Sequence, residues 1–97
     1  MNVNITVKNF EITGALKEYI DKRMKVLNKF EEYIISADLT MEEQRSMYSG
    51  TLVVKVKGQT LTAKSTEEDP YILIDALKDR IKQQLVKYEK KLKDRRA

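Results

Sequence analysis

The apolar residues of this chain change period along its length, and the order of those changes leaves room for few folds. Val3, Ile5 and Val7 alternate with Asn2, Asn4, Thr6 and Lys8, the two-residue period of a half-buried strand. Thr13 is placed to cap a helix, and Leu16, Ile20, Met24, Leu27 and Phe30 then recur at steps of four, four, three and three. That stripe predicts one amphipathic helix through residue 30. Ile35, Ala37, Leu39 and Met41 alternate with Ser36, Asp38 and Thr40, and the polar run Glu42 to Ser46 reads as the loop that ends this second strand. Leu52, Val54 and Val56 lead to Lys57-Gly58, a turn signal, beyond which Leu61 and Ala63 alternate with Thr60, Thr62 and Lys64. Asp69 before Pro70 is a capping carboxylate ahead of a proline at the first helical position. Leu73, Leu77, Ile81, Leu85, Tyr88 and Leu92 carry that last helix almost to the end.

The element order is therefore β-α-β-β-β-α. Each strand has one apolar and one polar face, so both helices should cover the same side of a four-stranded sheet, in a two-layer α+β fold. The first strand should pair in parallel across its helix and the remaining neighbours antiparallel. Ninety-seven residues can bury one modest core, so residues 1–97 are read as a single domain. With no cysteine there is no disulfide framework and no thiolate metal site, which suits a reducing, cytoplasmic setting. The N-terminal residues lack the pattern of a signal peptide, and no run approaches the length of a membrane span.

Charge is distributed unevenly. Residues 78–97 hold nine Lys and Arg against three acids, whereas residues 1–77 hold ten against twelve. A basic block on a nearly neutral body is an electrostatic footprint for a polyanion. Catalysis has little to work with: there is no His and no Cys, no Gly-rich phosphate cradle, and no imidazole to activate Ser36, Ser46, Ser49 or Ser65. A non-enzymatic protein without cofactor or small-molecule substrate is expected. Glu42-Glu43 falls in the expected loop and Glu67-Glu68-Asp69 leads into a helix N-terminus, where acids are favoured anyway, so no metal is assigned. Asp75 and Asp79 are read as local partners of Lys78 and Lys82, three residues on. Tyr71 and Tyr88 are read as core residues with hydroxyls at the rim rather than as base-stacking platforms.

The last helix resembles a known family. Asp69-Pro70-Tyr71-Ile72-Leu73-Ile74-Asp75, then Asp79-Arg80-Ile81, Gln84-Leu85 and Lys87-Tyr88, is similar to the opening of the last helix in ribosome hibernation promoting factors and their stationary-phase inhibitor relatives. Thr13, Ala15-Leu16, Tyr19-Ile20, Arg23-Met24 and Leu27 match that family's first helix, while Val26 and Val86 stand where basic residues are usual. The resemblance covers the whole chain and looks like the family's short form. It implies a translation inhibitor of stationary phase and stress that binds the small ribosomal subunit and its rRNA between head and body. There it would occupy the path of messenger and transfer RNA. The protein is expected to be a monomer off the ribosome and to bind no membrane, since the apolar stripe of the last helix is needed for the core. The other readings are a generic double-stranded RNA-binding or RNA-chaperone module, and a protein-interaction domain using Lys55, Lys57 and Lys64 on its sheet side.

Arg80, Lys87 and Arg23 fall on basic positions of the family pattern and rank first as RNA contacts. Helical geometry adds Lys91, Lys22, Lys25, Lys29, Lys90, Arg95 and Arg96. A face with many lysines and few arginines suits phosphate and shape recognition more than base readout. Arg80 and Lys87 are both expected to project freely from the solvent flank, so that replacing them would leave melting unchanged.

Overall fold

A computed structural model describes residues 2–94. The elements run β1 (Asn4–Lys8), α1 (Gly14–Arg23), a 3₁₀ segment (Met24–Phe30), β2 (Ile34–Gln44), β3 (Met47–Val56), β4 (Gln59–Glu67) and α2 (Pro70–Asp94). The sheet has the order β1-β2-β3-β4. β1 is parallel to β2, with Thr6 opposite Thr40, and the other two pairings are antiparallel. This is the α+β arrangement of the period pattern: α2 packs on β3 and β4, and α1 lies against α2. Leu39, Met41, Leu52, Val54, Leu61 and Ala63 from the sheet meet Leu16, Ile20, Leu73, Leu77, Ile81 and Leu85 from the helices in one buried core. The opposite face is polar, with Thr40, Lys55, Thr62 and Lys64 exposed.

Thr13 caps α1 as expected, its hydroxyl accepting from the Leu16 N–H at 3.1 Å. The helix does not stay α-helical through residue 30. After Arg23 it tightens into the 3₁₀ segment, whose three residues per turn put Met24, Leu27 and Phe30 on one line, all buried. The change of step in the sequence, from four to three, marks the place where the winding changes.

The second strand differs in two ways. Its pairing with β3 shifts register between Ile34 and Ser36, turning Ile35 outward at 67% exposure while Ile34 is partly buried. Ile35 is therefore not a core residue. At its other end β2 continues through Gln44, because Glu42, Glu43 and Gln44 pair with Ser49, Tyr48 and Met47. The loop expected over Glu42 to Ser46 shrinks to Arg45-Ser46, with φ of 53° and 66°. Two consecutive left-handed residues are the geometry of the two-residue hairpin turn that matches strand twist.

Candidate nucleic-acid interface

The helix layer is the electropositive side of the molecule. Gly14–Phe30 and Pro70–Asp94 together carry twelve Lys and Arg against six acids, whereas the four strands carry three against four. The position of each cation follows from how α2 is seated. Asp69 caps it, its carboxylate accepting from the Tyr71 N–H at 2.7 Å. Leu73, Ile74, Leu77, Ile81, Leu85 and Tyr88 then face the core. Burying that stripe leaves two shoulders, one along β4 and one along α1.

On the β4 shoulder, Arg80, Gln84 and Tyr88 are spaced four residues apart and form one line along the helix. Gln84 donates to the Thr62 carbonyl at 2.8 Å. Arg80 donates to the Lys64 carbonyl and the Tyr88 hydroxyl to the Lys57 carbonyl. Three side chains of α2 thus satisfy backbone acceptors of the edge strand and its turn. Arg80 is exposed, but it does not project freely as the sequence suggested. Its guanidinium ties helix to sheet. Lys87 and Lys91 lie farther along this shoulder and Lys90 on the crest, all exposed and without an ion pair among the described residues. Tyr88 is 6% exposed and Tyr71 partly buried, in keeping with the core reading of both rings.

The α1 shoulder is built around Asp75. Tyr19 donates its hydroxyl to Asp75 Oδ1 at 2.7 Å, and Arg23 Nε lies 3.3 Å from the same oxygen. The Arg23 guanidinium carbon sits 4.9 Å from the Tyr19 ring centre, and Tyr19 meets Tyr71 edge to face at 5.0 Å. Contact with Tyr19, and after it the carboxylate of Asp75, holds the Arg23 guanidinium above its ordinary pKa, so it is a permanent cation. Asp75 is therefore paired across the helices and not with Lys78. Lys78 turns instead to Asp79, 3.0 Å away. Lys78 and Lys82 follow Asp75 at helical spacing on the shoulder facing α1. Lys82 is exposed with no ion pair among the described residues. In the sequence these two lysines fall on one flank of the last helix and read as partners for the neighbouring acids. Only the pairing of Asp75 with α1 shows that they border the groove between the helices.

Lys22, Lys25 and Lys29 are all exposed on α1 and the 3₁₀ segment. Lys22, three residues after Tyr19, borders the interhelix groove. Lys25 instead lines a separate cleft with Asn2, Val3, Lys17, Asp21, Met24 and Asn28. The cations thus form a groove cluster, a β4-side row and an outlying cleft. Arg95 and Arg96 lie outside the described residues. No group of three or more metal-ligating side chains occurs among the described residues, and Glu42-Glu43 belongs to β2 instead of a loop. No helix there is long and apolar enough to cross a membrane.

Comparison with known proteins adds relatives of nearly the same length. The chain is 30% identical over 93 residues to the ribosome hibernation promoting factor of Escherichia coli K12, covering 96% of this chain and 98% of the relative. It is 29% identical over 97 residues to the ribosome-associated factor Y of Haemophilus influenzae, covering all of this chain and 91% of the relative. Two solved structures share the fold. One is a ribosomal subunit interface protein from Coxiella burnetii, with a TM-score of 0.83 at 24% identity over 92% of this chain and 98% of that one. The other is the N-terminal domain of Protein Y from Thermus thermophilus, with a TM-score of 0.80 at 22% identity over 91% and 99%. Residues 3–93 match the family model described as Sigma 54 modulation protein / S30EA ribosomal protein, and the chain belongs to that family.

Proposed function

We propose that this protein is a ribosome-associated hibernation factor that docks its helix layer on small-subunit rRNA between head and body. Bound there, it blocks translation by occupying the path of messenger and transfer RNA. The observation that carries the docking side is the division of charge: twelve cations against six acids on the helices, three against four on the strands. A polyanion is drawn to the helix layer by the long-range field and meets there lysines free to reach phosphate oxygens. The names of the relatives, ribosome hibernation promoting factor and ribosome-associated factor Y, supply the ribosome as the partner and with it a cytoplasmic location.

Inhibition then needs no chemistry. A rigid body whose helices grip backbone phosphates excludes other ligands from the same channel by volume, and is released when its ionic contacts are outcompeted. The test is co-sedimentation with purified small subunits, together with translation in a purified system. Binding to small subunits with loss of initiation is expected. Full translation in the presence of excess protein would overturn the proposal, and equal affinity for any plain RNA duplex would favour a generic RNA-binding module.

A further inference from the structure

Arg23 differs from the lysines around it in how it is held. Its Nε has no accessible surface, lies 3.3 Å from Asp75 Oδ1, and makes no aligned hydrogen bond. The guanidinium carbon lies over the Tyr19 ring, 4.9 Å from its centre, and the Tyr19 hydroxyl in turn holds Asp75 at 2.7 Å. The side chain nevertheless stays 40% exposed, and since Nε is covered, that exposure belongs to the rest of it. The guanidinium is therefore held from both helices, by Tyr19 on one and Asp75 on the other, while part of the side chain stays open to solvent. A planar guanidinium can give two parallel N–H groups to a phosphate, a geometry the neighbouring lysines cannot offer.

We infer that Asp75 and Tyr19 are positioning residues that fix Arg23 as a pre-set fork for one RNA phosphate in the groove between α1 and α2. This rests on the RNA-binding reading above. The immobilisation that binding would otherwise impose on a long side chain has already been met in the fold, so affinity is gained without a new contact. Lys22 and Lys82, both exposed, supply flexible charge around that fixed point.

The sign of one substitution separates this role from simple electrostatics. Asp75 is an acid on a cationic surface, so by charge alone Asp75→Asn would tighten binding to a polyanion. Pre-organisation demands the opposite. With the full chain and purified small subunits, well below the melting temperature, Asp75→Asn should weaken binding about two- to tenfold, the range expected for releasing one ordered side chain. Asp79→Asn, which removes an exposed acid paired only with Lys78, should bind at least as tightly as wild type. In a background carrying Arg23→Lys, which keeps the charge and loses the fork, Asp75→Asn should no longer weaken binding. Tyr19→Phe, which keeps the ring and loses the hydroxyl, should repeat the pattern and decides the matter if Asp75→Asn does not fold. Unchanged or tighter binding by both Asp75→Asn and Tyr19→Phe overturns the inference, as does equal weakening in the Arg23 and Lys backgrounds. A wild-type chain that does not bind small subunits overturns the RNA reading itself, and the inference with it.

Discussion

Gly50 is buried in β3 beneath Leu73 and Leu77 of α2. A Cβ there would sit 2.8 Å from Leu77 Cδ1 and 3.1 Å from Leu73 Cδ2. Both leucines are fully buried, so neither side chain can turn away into solvent. Gly50→Ala should therefore cost about 1–3 kcal/mol by overpacking, read from urea denaturation. An unchanged midpoint would show that the helix can lift at no cost. Leu73 and Leu77 announce themselves in the sequence by their spacing, whereas nothing marks Gly50, because its role depends on a helix twenty residues away in the chain. Asp75 is a similar case. Its neighbours in sequence offer Lys78 as a partner, and only the approach of α1 supplies Tyr19 and Arg23, partners that also satisfy the carboxylate more fully.

The β4 edge of the sheet is covered from α2, and that cover explains part of the family pattern in this helix. Arg80 and Gln84 lie over β4 and donate to its carbonyls, and Tyr88 does the same for the turn that precedes it. An edge strand with open acceptors invites pairing with another chain, and covering it is one of the ways proteins prevent that. Arg80, which ranks among the RNA contacts in the sequence, is here part of a seal. Element existence was legible because period two and period 3.6 do not resemble one another. The 3₁₀ segment, the outward turn of Ile35 and the length of the β2–β3 hairpin were not, since each is decided by pairing or packing with a partner distant in sequence. Glu42, Glu43 and Gln44 look like a loop until the strand opposite them supplies hydrogen bonds. Arg80→Ala combined with Gln84→Ala should then lower stability by about 1–3 kcal/mol, near the sum of two net hydrogen bonds, and increase self-association at high concentration. Lys87→Ala, exposed and unpaired among the described residues, should leave melting unchanged while weakening RNA binding. Melting curves and sedimentation of the two variants check both halves, and melting equal to wild type for both would remove the seal from the account.

At the scale of the whole molecule, the segregation of charge by layer predicts how binding responds to salt. Cations that touch phosphates release condensed counterions, so log K falls linearly with log salt, at about 0.9 per contact for duplexes and 0.7 for single strands. Were six cations of the helix layer to meet phosphates, the slope on folded rRNA would be about −4 to −5. The groove and shoulder lysines, Lys22, Lys78, Lys82 and Lys87, should each flatten it by somewhat under one unit when changed to glutamine. Lys55 and Lys64 are exposed on the opposite face of the sheet and should leave the slope unaltered. The two sets differ little as isolated charges, since all are lysines on the same small body, so a difference in slope can arise only from which face meets the RNA. Asp75→Asn belongs to neither set. It removes no cation, and it should lower affinity at every salt concentration while leaving the slope near its wild-type value. A line that flattens for Lys55 and Lys64 but not for the helix lysines would place the RNA on the sheet face, and would do so even if the protein bound small subunits as tightly as expected.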